Sequence, residues 1–293
     1  MDDPARARPL TDSETPADDG GGGSRLAIPD RLDATLVLVR HGESELIVQR
    51  RFQGRLDTPL SATGRRQAER VAARLARPHE PPALPLPEGR PLAIVHSPLR
   101  RAAGTAAAIG RAISAGAEGE GVRHVPDERF VEIGQGEWEG RLASEIQAAD
   151  GERLAAWRSR PAETWAPGGE RLAAVKERVV AGLADVLSGL AAAGPPGSLA
   201  APQVGGYHDG AATHPWSILV GHDGVFKVAL LALFDLPLDR FWMWSSDLCG
   251  ISVVEFRAGR PVVRAMNLTE HLAGLLDEAA QEATEERGRS GAL

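Results

Sequence analysis

A single cysteine, Cys249, in a chain of 293 residues excludes an intrachain disulfide and a four-cysteine zinc site. No run of about eighteen apolar residues occurs, so no helical membrane span is expected. An excess of basic charge is missing too. The formal net charge is −7, which argues against a nucleic-acid partner and leaves any anionic substrate to be held by a local cluster of cations. The opening residues, Met1-Asp2-Asp3-Pro4, are acidic where a secretory signal has an apolar core, and the expected location is the cytoplasm. There is no internal repeat. What is present is apolar material, 43% of the chain, enough for a substantial core.

Residues 1–33 are rich in Pro, Asp, Ser and Gly and are read as a disordered leader, since such a segment buries too little apolar surface to offset its ordering entropy. Residues 34–280 are read as one domain and 281–293 as a frayed charged tail. Within the domain, short apolar runs near 36–39, 92–95, 122–125 and 216–221 alternate with helical patterns near 61–77, 102–113, 141–158, 169–192 and 223–234. Residues 251–256 and 261–264 read as an edge hairpin turning at Ala258-Gly259. This alternation predicts a three-layer α/β/α sandwich around a mostly parallel sheet. The stretches 78–91, with six prolines, and 194–215, rich in Gly, Pro and Ala, read as excursions that serve as lids or are tolerated insertions.

The informative points are where the strands stop. Leu36-Val37-Leu38-Val39 ends in Arg40-His41-Gly42, the second strand runs on into Arg100-Arg101, and the fourth ends in His222. Ligands in open α/β sheets sit just beyond the carboxyl ends of the strands, so these side chains would share one edge. Two guanidiniums and two imidazoles suit a tetrahedral phosphate: donors neutralise its oxygens while an imidazole attacks in line. No metal or cofactor is required for that chemistry.

In its motifs the chain resembles the histidine phosphatase superfamily, the phosphoglycerate mutase-like branch. The residues that carry the resemblance are Arg40-His41-Gly42-Glu43, Gln53-Gly54 with Asp57-Thr58-Pro59-Leu60, Ser97 to Ala102, Glu132 to Gly140, Pro167 to Glu170, and His222 to Gly224. The resemblance implies a phosphoglycerate mutase-like fold and a phosphohistidine mechanism on a small phosphorylated metabolite. It makes His41 the nucleophile, makes Arg40, Arg101 and His222 the clamp on the phosphoryl oxygens, and makes Glu132 the acid and then the base. Gln53 would add a polar contact. His41 must be neutral to attack and Glu132 must hold a proton, so opposite pKa shifts are expected in one pocket.

Departures from the pattern are equally specific. Leu46-Ile47 stands where relatives carry Trp-Asn, so one phosphate contact is lost or supplied elsewhere. Asp223 replaces a glycine beside the anion site and is expected to point away from it, and Gly104 stands where Gln is frequent. Among other residues, His96 is read as packed, and His79, His124, His208, His214 and His271 as surface residues. Glu43 and Asp57 are expected to orient neighbouring arginines, and Trp138 to anchor its loop or line the pocket. Phe241, Trp242, Met243 and Trp244 are expected to seal the core or to form a contact in a homodimer. Two rival functions remain: a phosphoglycerate mutase, disfavoured by the loop Gly134-Gln135-Gly136-Glu137-Trp138-Glu139-Gly140, and a non-catalytic phosphate-binding module.

Overall fold

The computed structural model describes residues 25–115, 121–194 and 214–275. Six strands form one sheet in the order β3-β2-β4-β1-β5-β6. They are β1 (Ala34–Arg40), β2 (Ala93–His96), β3 (Arg123–Pro126), β4 (Trp216–Gly221), β5 (Ile251–Arg257) and β6 (Arg260–Leu268). The first four are mutually parallel; β5 runs antiparallel to β1, and β6 antiparallel to β5. The two-residue side-chain period of a strand splits β1 between two cores. Leu36 and Leu38 enter the core beneath α5 (Leu172–Ala193) and α6 (Asp223–Leu233). Val37 and Val39 enter the one beneath α2 (Ala62–Ala76) and α3 (Arg100–Ser114). A fully buried strand covered on both faces explains why its sequence is continuously apolar. Two further α-helices are present: α1 (Glu45–Val48), a single turn that the aperiodic sequence hid, and α4 (Ala143–Ser159).

Two expectations about the chain's periphery are corrected. Leu26 and Leu32 are buried in the α5–α6 core, so ordered packing begins before residue 34; the leader was read from composition, which misses two well-placed leucines. Residues 1–24, 195–213 and 276–293, and with them most of the leader, the second excursion and the tail, lie outside the described residues. The 78–91 segment is no lid. It enters β2 from its amino end, opposite the site, and buries Leu84 and Leu86 in the α2–α3 core.

Helix α2 starts where the sequence indicates, with Ser61 Oγ accepting from Gly64 N–H at 2.9 Å. Its first turn touches the backbone that follows β1. A Cβ added to Gly64 would stand 1.9 Å from Glu43 O, and one on Gly42 would stand 2.5 Å from Gly64 O. Only glycine at both places lets the two backbones meet. Gly64→Ala is therefore expected to destabilise the protein by about 1–3 kcal/mol through overpacking, read from the midpoint of denaturant unfolding. A wild-type midpoint would refute the contact.

Candidate active site

Strand register assembles the centre. Arg40 pairs with Gly221 across β1 and β4, so His41 and His222 leave adjacent parallel strands side by side. Their ring centroids are 5.0 Å apart, with ring planes at 62°, and His41 N–H donates to Gly221 O at 3.0 Å. On the far side of β4, Ser97 follows β2, donates its N–H to Val220 O at 3.0 Å, and sets its Oγ 2.8 Å from His222 Nε2. Both imidazoles are buried. His41 Nδ1 lies 2.7 Å from Gly42 O. Since a carbonyl only accepts, Nδ1 carries the proton and the lone pair resides on Nε2.

The cations come from two directions. Arg101, in the first turn of α3, is completely buried and donates through Nη1 to Leu56 O and through Nη2 to Gly54 O, both at 2.8 Å. Gly54 presents that carbonyl at a positive φ of 50°, and a Cβ there would stand 2.1 Å from Glu139 Oε1. Arg40 donates Nη1 to Ser246 O in the segment that leads into β5. Arg40 Nε, Arg101 Nε and His222 Nδ1 are buried with no hydrogen-bond partner among the described residues. A buried donor left unpaired costs about 1–3 kcal/mol. Three such nitrogens, on β1, on α3 and at the end of β4, would suit an anion, His222 Nδ1 being a donor when its Nε2 accepts.

Electrostatics follow from this crowding. Burial first, and then the charges of Arg101 and Arg40, hold His41 well below the ordinary imidazole value of 6.5. Burial, then His41, Arg101 and Arg40, do the same to His222. Burial lowers Arg101 to about 10, against the opposing pull of Glu132 and Asp57, so it stays cationic at neutral pH. Glu132 moves the other way. Burial pushes its carboxyl up, and the Asp223 charge adds to that, against the Ile133 N–H and Arg101. Its Oε1 accepts from Ile133 N–H at 2.9 Å and Val225 N–H at 3.2 Å, and its Oε2 from Gly224 N–H at 3.3 Å. The amino end of α6 thus aims the carboxyl.

The loop behind Glu132 has a brace that sequence reasoning missed. Arg178 of α5 donates to Arg129 O and Val131 O, both at 2.7 Å, and pairs with Glu170 at 2.9 Å. Glu170 also pairs with Arg55 at 3.0 Å, which explains the Pro167 to Glu170 motif as a strut. Arg178 sits on the polar side of an ordinary amphipathic pattern, so no local signal marks it. Gln53 Oε1 accepts from Ser44 Oγ and Thr58 Oγ1, each at 2.6 Å, which leaves its amide NH2 to donate.

Other sequence expectations divide. Asp223 points away from the anion site, toward Lys227 and Ser246 N–H. Among the described residues neither Glu43 nor Asp57 bonds directly to a guanidinium, although the Asp57 charge acts on Arg101. Glu43 accepts from Ser61 Oγ at 2.6 Å, and Asp57 accepts from Arg100 N–H at 2.7 Å, capping α3 from outside. Trp138 is buried, with its indole N–H donating to Asp150 Oδ2 at 3.2 Å, and so anchors its loop. His96 is packed. His79 and His124 are exposed, whereas His214 and His271 are tied to Thr35 Oγ1 and Cys249 O; His208 lies outside the described residues. Phe241 is buried, while Trp242 and Met243 are exposed. A Cβ on Gly104 would stand 3.2 Å from Leu60 Cδ1, so a larger residue there needs Leu60 to shift.

The family model described as histidine phosphatase superfamily (branch 1) matches residues 36–193 and 204–269. The chain belongs to that superfamily. It is accordingly a phosphomonoesterase working through a phosphohistidine intermediate on a small phosphorylated compound. Phosphoserine phosphatase 1 of Hydrogenobacter thermophilus is 29% identical to this histidine phosphatase over 248 residues, 83% of this chain and 97% of that one. Glucosyl-3-phosphoglycerate phosphatase of Mycobacterium tuberculosis is 35% identical over 205 residues, 69% of this chain and 76% of that one. The solved structure of a mycobacterial glucosyl-3-phosphoglycerate phosphatase with VO3 matches this histidine phosphatase with a TM-score of 0.62. It is 27% identical and covers 80% of this chain and 98% of that one. The three-layer phosphoglycerate mutase-like fold expected from the sequence is the one observed.

Proposed function

We propose that His41 is the nucleophile of this phosphatase, that Arg40, Arg101 and His222 clamp the transferred phosphoryl group, and that Glu132 is the proton carrier. The reading is carried by one observation: His41, its Nδ1 held by Gly42 O and its Nε2 lone pair left free, lies beside His222 and near Arg40 and Arg101, each of which has a buried nitrogen with no hydrogen-bond partner among the described residues. Nε2 forms a bond to phosphorus as the ester P–O bond breaks, and Glu132 gives its proton to the departing oxygen. Glu132 then takes a proton from water, whose oxygen attacks phosphorus. The P–N bond breaks, His41 is restored and phosphate leaves. The arginines neutralise the charge that gathers on the phosphoryl oxygens, so no metal or cofactor takes part. Gln53 donates its amide to the phosphate or to the alcohol portion.

His222 can donate Nδ1–H to the phosphoryl group only if Nε2 accepts, so Ser97 Oγ–H is the donor in their 2.8 Å contact. Ser97→Ala frees the other tautomer and is expected to lower kcat about tenfold, the worth of one buried hydrogen bond, and to lower the melting temperature modestly, since Ser97 Oγ also accepts from Leu99 N–H at 3.3 Å. Full activity in that variant would show that Ser97 does not set the tautomer.

The substrate class we favour is a small phosphate ester of a hydroxy acid, acted on in the cytoplasm. The names of the two relatives, phosphoserine and glucosyl-3-phosphoglycerate phosphatase, both denote phosphorylated three-carbon acids. Arg55, 45% exposed and bonded to Glu132 O at 3.2 Å, is a cation beside the site; a substrate carboxylate would share it with Glu170, its ion-pair partner at 3.0 Å. The net charge of −7 disfavours nucleic acid, and exposed Trp242 and Met243 supply the contact for a homodimer. Phosphate release over a panel of phosphorylated acids, sugars and nucleotides tests the reading. The acids should turn over best, and EDTA should leave the rate unchanged. Isomerisation of 3-phosphoglycerate without phosphate release would make the protein a mutase, and a rate restored only by added divalent metal would overturn the metal-free mechanism.

A further inference from the structure

Asp223 is out of pattern, a carboxylate where the resemblance leads one to expect glycine, and it directly follows a histidine of the anion site. A free carboxylate there would repel a phosphate dianion. The structure instead gives each of its oxygens a partner. Oδ2 is bonded to Lys227 Nζ one turn along α6, and Oδ1 accepts from Ser246 N–H at 2.9 Å. Lys227 is itself only 5% exposed, its Nζ lying 4.9 Å from the Trp242 ring centroid and 5.5 Å from that of Phe241. The negative charge is thereby balanced within α6, facing away from the two imidazoles.

Ser246 connects this pair to the centre. Its carbonyl accepts from Arg40 Nη1, while its N–H is held by Asp223. Ser246 is held from both sides: Asp223 takes its N–H, and Asn267 Oδ1 accepts at 2.7 Å from Asp247 N–H, which shares a peptide plane with the Ser246 carbonyl; beyond these, Cys249 N–H donates to Arg40 O. A guanidinium is planar, so fixing Nη1 also fixes the direction in which Nε presents its hydrogen. We propose that Asp223 is a positioning residue for phosphoryl binding: through the Ser246 backbone it sets the orientation of Arg40. The inference rests on Arg40 being a phosphoryl ligand, and Lys227 is the counter-charge that makes a carboxylate tolerable so close to an anion site.

The test is inhibition of p-nitrophenyl phosphate hydrolysis by inorganic phosphate, measured for wild type, D223A, D223N, R40A and R40A/D223A, with melting temperatures alongside. Asparagine keeps an oxygen for Ser246 N–H, so D223N should bind phosphate within about twofold of wild type, whereas D223A should lose about tenfold. KM should rise more than kcat falls. In the R40A background the D223A change should have much less effect, because its route through the Arg40 guanidinium is gone. D223A lowering affinity equally with and without Arg40, or D223N failing as D223A does, would overturn the proposal. R40A binding phosphate as wild type does would instead overturn Arg40 as a ligand. If D223A unfolds because Lys227 is left buried and unpaired, D223A/K227M removes both charges and should show the same tenfold loss; wild-type phosphate affinity in it would also overturn the proposal.

Discussion

Replacing His41 by alanine is expected to lower turnover of every phosphomonoester on the order of 10⁴- to 10⁶-fold, the scale seen when a nucleophile is removed. The loss should appear in kcat, since Arg40, Arg101 and His222 remain to bind the phosphate. Folding should survive, because the substitution removes one neutral imidazole and its local hydrogen bond to Gly42 O. His222→Ala makes the contrast. His222 is the second imidazole of the pair, yet its Nε2 is engaged with Ser97, so its removal should cost only about 10²- to 10³-fold, as for loss of one electrostatic donor. If the two variants exchanged these magnitudes in a steady-state assay, the roles of the two histidines would be reversed.

Glu132→Gln should separate the two chemical steps. Glutamine cannot give a proton, so an alkyl phosphate, whose leaving oxygen is strongly basic, should lose about 10²- to 10⁴-fold. An aryl phosphate leaves without that help, so its first step should stay fast while hydrolysis of the phosphoenzyme, which needs a base, slows. Stopped-flow absorbance should then show a burst of one nitrophenolate per active site followed by a slow phase. The pH dependence follows from the same groups. Glu132 is raised by burial and by Asp223, so the first step weakens as pH rises through that raised value and the acid deprotonates. His41 is lowered by burial and by the arginines, so the acid limb falls well below 6.5, where the imidazole protonates. Glu132→Gln should abolish the alkaline limb for alkyl phosphates and keep the acid one. A variant that retained the alkaline limb and showed no burst would remove Glu132 from proton transfer.

The parts of this molecule legible in sequence are those whose cause is local. β1 and β4 are buried on both faces, so each is a short apolar run, and each run ends abruptly at a histidine because the strand ends at the site. The longer helices announced themselves through periodicity and, for α2, through the Ser61 cap, whereas the single turn α1 did not. What stayed hidden depends on chain segments that meet only after folding. The carbonyls of Gly54 and Leu56 that grip Arg101 lie 47 and 45 residues from it in sequence. Ser246, which receives Arg40, is 206 residues away, and a backbone carbonyl has no sequence signature. Asp57 looked like a partner for an arginine side chain and accepts from the backbone N–H of Arg100, because Leu99, the residue that caps α3, has no side-chain acceptor of its own. Composition likewise concealed Leu26, Leu32, Leu84 and Leu86, apolar residues in polar or proline-rich stretches that become core only when the sheet supplies a surface.

The most direct measurement is to quench the Glu132→Gln enzyme with alkali during the burst on an aryl phosphate and map the phosphoryl group by mass spectrometry. The expected result is one phosphoryl group per chain on the peptide containing His41, labile to acid and absent from the His41→Ala variant. A phosphoryl group on His222 or elsewhere, or a burst with no labelled peptide at all, would contradict attack by His41.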